Sequence, residues 1–405
     1  MENVMSACYG KCKTKSVLIF LFVLIVLFCF YPYEFYSVYF IFLPKRAFET
    51  CLVLIFPVLL VYLFSKKKSP PTRKVCLFAI LQWFGYSLAS INRGNINAVV
   101  SQTLLLVFTL LLVFLVEQTI GLQSFYKKYN RWIFIMAALG TLTWFLMQFF
   151  NYAPLYFLPD RAENGRMIYN YGITFATMDE SSSFRYAGFF DEPGAMGYWG
   201  MFALIMNRLF VKEKWLEIPL VICLLFTFSI GYYIQLALFF ILFSFSKQNF
   251  SKNILLCLVL FISIWTIIST ENTDLGFVYD MTLGRLEGFG EYNHGFSVDN
   301  RAESSELALR EFLDNPLFGT QNLELNVGNN IYEPLALYGI IGTFFIYFPF
   351  LWLLVSSFHI KDYEIFKASM VVIVGFAHRP FHSNLLYFFV LYSILILYIQ
   401  RRKIA

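Results

Sequence analysis

Charge is scarce in this chain. Asp, Glu, Lys and Arg make up 14% of its 405 residues against 59% hydrophobic residues, and mean hydropathy is +0.62. Soluble domains carry about 25% charged residues, so the composition excludes an ordinary water-soluble protein and points to a polytopic membrane protein. Cysteine offers no framework either. Cys8, Cys12, Cys29, Cys51, Cys76, Cys223 and Cys257 lie in the N-terminal tail or in apolar runs, which gives no disulfide pattern. The CYGKC pair has three residues between its cysteines and no His beside it, so it is read as neither a metal nor a redox motif. A nucleotide-binding glycine loop, metal-ligand spacing, low-complexity tracts and a strong internal repeat are all missing, and an ATP-driven mechanism has no support. His378 and His382 in HRPFHSN are four apart, but Pro380 between them interrupts the helical face that a metal pair would need. No metal and no cofactor are expected. KCKTK and the run SVLIFLFVLIVLFCF are followed by YPYEFY rather than by a small-residue cleavage site, so the first apolar run is expected to be an uncleaved span.

Long apolar runs dominate what is there. Runs of the length needed to cross the hydrocarbon core as helices begin near Ser16, Phe48, Val75, Ala98, Trp132, Gly194, Leu216, Tyr232, Ile254, Asn330, Ala368 and Leu385, about twelve spans by that criterion. The expected fold is all-α: a single polytopic membrane domain over residues 1–405. Lys11, Lys13 and Lys15, then Lys66, Lys67, Lys68, Arg73 and Lys74, then Lys127, Lys128 and Arg131 fall on one side of this alternation. Arg208, Lys212, Lys214, Lys247, Lys252, Lys361, Lys367, Arg401, Arg402 and Lys403 continue the pattern. The positive-inside rule makes that side cytoplasmic, with both termini on it. Almost nothing separates the runs on either side of Gly231, which fits a tight hairpin or one broken helix.

Two long segments then face outward, residues 151–193 and residues 270–328, both too polar to cross and long enough to act as lids or binding loops. The first ends in SSSFRYAGFFDEPGAMGYWG, where Arg185, Asp191 and Glu192 stand immediately before Pro193 and Gly194. Proline and the acids suit a helix N-terminus there, and Arg185 is positioned to pair with either acid. The second carries NRAESSELALREFLDNPLFG, in which Leu307, Leu309, Phe312 and Leu313 form the apolar side of a short amphipathic helix along the membrane surface. Asn315 and Pro316 end it. NNIYEPLALYGIIG follows, with Asn329, Asn330 and Glu333 at the outer end of the next span.

An Arg-x-x-Gly-Phe-Phe-Asp-Glu-Pro-Gly stretch after a mid-chain outward loop is followed here by Asn-Arg, a helix, Asn-Pro-Leu-Phe-Gly and a span running from Asn-x-Tyr to Gly-Ile-Ile-Gly. Over residues 184–342 this pattern resembles the Wzy-type O-antigen and polysaccharide repeat-unit polymerases. Related O-antigen ligases often place a His beside the Asn of the second motif; GNN stands here instead, which favours polymerase.

The resemblance implies a GT-C-like enzyme of the bacterial inner membrane, with its active site facing the periplasm. It implies inverting transfer of a growing glycan from undecaprenyl pyrophosphate onto the non-reducing end of another lipid-linked unit, as in lipopolysaccharide biosynthesis. Membrane lipid and a chain-length regulator protein are the implied partners, and no nucleic acid is. Arg185 and Arg301 match the motif arginines and are expected to hold the pyrophosphate in place of a metal, since a guanidinium binds phosphate oxygens through a planar fork. Arg379 adds a third positive charge, and Asn329, Asn330 and Tyr186 complete the expected substrate contacts. Glu192, with Asp191 and Glu333 as alternates, is the expected base. The rival readings are a ligase, or a flippase or transporter; a transporter calls for ionisable groups at mid-span.

Overall fold

The computed structural model describes residues 17–23, 73–150, 152–158, 167–172, 174–178, 184–188, 190, 192–244, 269, 296–322, 330–378 and 385–404. After a short helical stretch at 17–23 come α1 (Arg73–Asn92), α2 (Ile96–Thr119) and α3 (Leu122–Phe150). Strands β1 (Tyr156–Leu158), β2 (Met167–Asn170), β3 (Phe175–Met178) and β4 (Phe184–Gly188) follow, and then α4 (Pro193–Met206), which continues as a π turn over Asn207–Val211. The remaining helices are α5 (Lys214–Leu225), α6 (Ile230–Ser244), α7 (Phe296–Asp314), α8 (Glu333–His359), α9 (Tyr363–His378) and α10 (Leu385–Ile404). Among the described residues α1, α2, α3, α8 and α10 are long and apolar enough to cross a membrane, so this is a helical membrane protein. The runs expected from Phe48 and Ile254 lie outside the described residues, and the run from Ser16 is described only over 17–23.

The helices alternate in direction between two ends. Lys127 and Arg131 of α3 pair with Glu213 before α5, at 2.7 and 3.0 Å. Arg401 of α10 pairs with Asp362 and Glu364 beside the start of α9, at 3.1 and 3.0 Å. Gln400 donates to Glu117 near the end of α2. These contacts define a basic end. The hydrogen bond from Lys127 and the neighbouring Arg131 hold the Glu213 carboxyl below the usual carboxylate range. Helices α1, α3, α5 and α9 run away from this end; α2, α4, α6, α8 and α10 run toward it.

The chain reverses between α5 and α6, and the turn lies at Phe226–Ser229 rather than at Gly231. Phe228 takes a left-handed φ of 48° there. Both helices flank α4: Leu224 packs over Gly200, and Tyr232 over Gly197. At the basic end Arg208 pairs with Glu217 of α5 and lies 5.8 Å from the Phe239 ring of α6. The two helices therefore reach the same level from opposite directions, which makes them a splayed hairpin and not one broken helix.

The expected all-α fold needs a correction. The segment between α3 and α4 holds a four-stranded antiparallel meander in the order β1-β2-β3-β4. Tyr156 pairs with Asn170, Asn170 with Phe175, and Ala176 with Tyr186. Asn170 supports the β2–β3 turn by accepting from the Gly172 N–H through its side chain at 2.6 Å. Burial and the neighbouring Tyr169 and Tyr152 push the Tyr171 phenol up to about 12.

At the same end α8 is broken. Gly339 has φ 62° and ψ −176° inside the helix, a combination open essentially to glycine alone. The turn after α7 fills the break: Ile340 and Ile341 donate their N–H groups to Pro316 and Leu317 at 2.8 and 3.2 Å, and Thr320 donates to Ala336 at 2.8 Å. Gly319, with φ 81°, is pressed against the Leu337 carbonyl, and Gly339 against the Leu317 carbonyl, leaving no room for a Cβ at either position. Backbone groups of a broken helix in an apolar medium need such substitutes. Below the break, Gly85 of α1 and Gly342 of α8 let the two backbones approach closely, and a Cβ on Gly85 would stand 2.7 Å from the Gly342 oxygen.

The break yields a test. Gly339→Ala combines a disallowed backbone conformation, costing about 1 to 3 kcal/mol, with a collision against the Leu317 backbone. Its apparent melting temperature in detergent should fall well below that of Gly94→Ala, which also substitutes a positive-φ glycine but meets open space. Equal melting temperatures would contradict the packed break.

Candidate functional site

The sheet end is built on two anchors, and the first is β4. Successive residues of a strand point to opposite faces, and Arg185 and Tyr186 divide accordingly. Tyr186 points into the helices. Its ring lies directly on Gly140 of α3 and its hydroxyl donates to the Cys223 carbonyl of α5 at 2.6 Å, where Thr141 also donates at 3.2 Å. Burial pushes this phenol far above its ordinary value. Tyr186, one of the expected substrate contacts, is fully buried and pins the sheet to the bundle. Arg185 is only 6% exposed and acts electrostatically on Tyr233 of α6. Five residues beyond Gly188 the chain enters α4 with Pro193 in its first turn. Glu192 is the N-cap, half-buried and in extended conformation, and its side chain makes no capping hydrogen bond. Its backbone carbonyl accepts from Ala195 and Met196. Asp191 lies outside the described residues.

The second anchor joins α7 to the start of α8. Asn330 is buried; its side-chain oxygen accepts from the Tyr332 N–H at 2.9 Å and its amide donates to the Ser304 carbonyl of α7 at 3.5 Å. Glu333 opens α8, and its Oε2 is buried with no hydrogen-bond partner among the described residues. Arg301 sits on α7, three residues before Ser304, and its side chain is outside the described residues, as are Asn329 and Arg379. The structure thus brings Asn330, Glu333 and α7 together at one anchor, while Arg185 lies on β4 and Glu192 at the start of α4. The expected apolar stripe of α7 is split: Ala308 is fully buried and Leu309 and Phe312 are half-buried, whereas Leu307 and Leu313 are exposed.

Sequence reasoning passed over Arg93. It stands in the short turn between α1 and α2, on the side where the lysine and arginine bias leaves few cations, and that misplacement was the available signal. Its Nε donates to the Thr320 carbonyl at 3.1 Å, its NH2 donates to the Leu337 carbonyl, and its guanidinium lies 5.7 Å from the Tyr338 ring. Burial pulls its pKa below the ordinary arginine value, with Tyr338 acting in the opposite sense. Asn92 beside it donates to the Gly319 carbonyl at 3.1 Å. Arg93 therefore clamps the turn into the broken helix. Among the described residues, no three His, Cys, Asp or Glu side chains gather as a metal site.

No protein-family model matches the chain, and no curated protein matches it.

Arg93→Ala would leave the Thr320 and Leu337 carbonyls without their donor. An unmade hydrogen bond at a buried group costs about 1 to 3 kcal/mol, so the apparent melting temperature should fall, and Arg93→Lys, which cannot fork to two carbonyls, should fall part of the way. An unchanged melting temperature for Arg93→Ala would remove the clamp.

Proposed function

We propose that this chain is a glycosyltransferase that polymerises polyprenyl-pyrophosphate-linked oligosaccharide repeat units into a surface polysaccharide, working at the sheet end. The observation that carries the reading is the distribution of charge. In the halves of the described membrane helices nearest the sheet end, the only Asp, Glu, Lys or Arg is Glu333, in the first turn of α8. Arg185, Glu192 and Arg93 are instead presented by the sheet and turns that cap those helices. A transporter needs ionisable groups around a path through mid-span; a reaction on a lipid headgroup needs them at the surface. The gathering of Lys127, Arg131, Arg208 and Arg401 at the opposite end supports a cytoplasmic basic end and a periplasmic sheet end.

In this reading the donor's pyrophosphate lies against Arg185 and Arg301, whose fixed forks neutralise the charge that grows as the anomeric C–O bond breaks. A carboxylate, Glu192, Asp191 or Glu333, takes the proton of the attacking acceptor hydroxyl. The glycan passes to the non-reducing end of the acceptor, and undecaprenyl pyrophosphate leaves with the bonding electron pair. The Gly-Asn-Asn at residues 328–330 in place of a His-Asn pair favours polymerase over ligase, and a chain-length regulator is a fitting partner.

Purified protein mixed with synthetic pyrophosphate-linked repeat units and a chelator should give a ladder of products without nucleotide. Arg185→Lys and Arg301→Lys should slow it roughly ten-fold or more, since Lys keeps the charge and loses the planar fork, while Arg166→Lys should be tolerated. No ladder from the wild-type protein, or a strict requirement for added magnesium or manganese, would overturn the reading.

A further inference from the structure

Below the sheet end, between α1, α4, α8 and α10, lies a cluster of tyrosines that the scheme above does not use, bordered by Glu333, one of its three candidate bases. Tyr86 of α1, Tyr198 of α4 and Tyr387 of α10 are each no more than 1% exposed. Tyr338 and Tyr347 of α8 lie on either side of the break at Gly339. The Tyr86 and Tyr338 rings meet edge to face at 5.3 Å, and Phe376 joins Tyr347 to Tyr387, with ring centroids at 5.1 and 5.2 Å. Tyr347 lies within electrostatic range of Tyr198, Tyr338 and Glu333, and Tyr387 within range of Tyr347, Tyr86 and Tyr198. Tyr86 is about 9 Å from the sheet end of its helix, six residues at about 1.5 Å each, so the cluster is shallow.

Three of its polar atoms are buried with no partner among the described residues: Glu333 Oε2, Tyr347 Oη and Tyr387 Oη. Buried polar atoms in proteins are almost always paired, and an unpaired one costs about 1 to 3 kcal/mol. A carboxylate accepts hydrogen bonds, and tyrosine hydroxyls both donate and accept. The complementary ligand therefore carries several hydroxyl groups, each able to donate to the carboxylate or to exchange hydrogen bonds with the phenols. The aromatic walls suit the apolar face of a sugar ring.

We propose that Glu333, Tyr347 and Tyr387 form a binding site for a sugar residue, the non-reducing end of the acceptor glycan, with one of its hydroxyls donating to Glu333. The site rests on the polymerase reading for the identity of that sugar and on the unpaired polar atoms for its existence. Across the break at Gly339, Thr343 donates to the Pro334 carbonyl at 2.8 Å, which draws the first turn of α8, with Glu333, onto the part of the helix that carries Tyr347.

The test separates the site from the reaction. The probe is the free oligosaccharide repeat unit, without lipid or pyrophosphate, released from the surface polysaccharide of the producing cells; the readout is its stabilisation of the purified protein against heat and its dissociation constant. Wild type should be stabilised. Tyr347→Phe, Tyr387→Phe and Glu333→Gln should each bind the oligosaccharide at least ten-fold more weakly, while free undecaprenyl pyrophosphate binds all of them alike. Without oligosaccharide, the two Phe variants should melt no lower than wild type, because each removes an unpaired hydroxyl. Equal oligosaccharide affinity across wild type and variants, with the wild-type protein still making a product ladder, would overturn the sugar site and leave the polymerase reading standing. So would hydroxyls and carboxylate found paired by ordered water alone with no stabilisation by oligosaccharide. Oligosaccharide binding that depends on these residues in a protein that makes no ladder would support the site and sink the reaction.

Discussion

The hydrogen bonds exchanged between the turn at Pro316–Thr320 and the broken helix α8 hold the sheet end in place. A helix interrupted in an apolar medium exposes N–H and C=O groups that lipid cannot satisfy. Here the turn supplies carbonyls to Ile340 and Ile341 and an N–H to Ala336, and Arg93 reaches the Leu337 carbonyl from the neighbouring turn. Two glycines make the fit possible, since each backbone lies where the other's Cβ would be. The position of α7, the orientation of Glu333 and the buried place of Asn330 all follow from this exchange.

The two ends divide the work. At the basic end the charges pair with one another: Lys127 and Arg131 with Glu213, Arg401 with Asp362 and Glu364. Such partly exposed pairs contribute modestly to stability and chiefly tie helix ends together. At the sheet end the ionisable groups sit on a sheet or at a helix start, and Glu333 holds an oxygen unpaired among the described residues. A group held in this way is suited to a ligand that brings its own hydroxyls. Between the ends, Gln82 is the main polar junction in view, donating to the Ile346 carbonyl and accepting from Tyr392.

Much of this was legible before the structure. Apolar run length located the helices α1, α2, α3, α8 and α10, Pro193 marked the start of α4, and Asn315 with Pro316 marked the end of α7. The sheet was not legible, because its strands are three to five residues long and show no sustained alternation against the aromatic background of the loop. That same shortness hid the role of Tyr186, which depends on which face of β4 it occupies. The Asn-Pro-Leu-Phe-Gly and Tyr-Gly-Ile-Ile-Gly stretches stood out as motifs, but only three dimensions show that one fills the gap in the other. Arg93 was passed over because its partners are backbone carbonyls more than 220 residues away, and backbone carbonyls leave no mark in a sequence.

Hydrogen exchange at the break tests the central interaction most directly. With the protein in detergent or nanodiscs, the amides of Thr320, Ile340 and Ile341 should exchange as slowly as those in the interior of α1. Arg93→Ala should speed all three together, because the turn and the helix break open as one unit. Fast exchange at Ile340 and Ile341 in the wild-type protein, or acceleration of Thr320 alone in the variant, would contradict a turn that completes the broken helix.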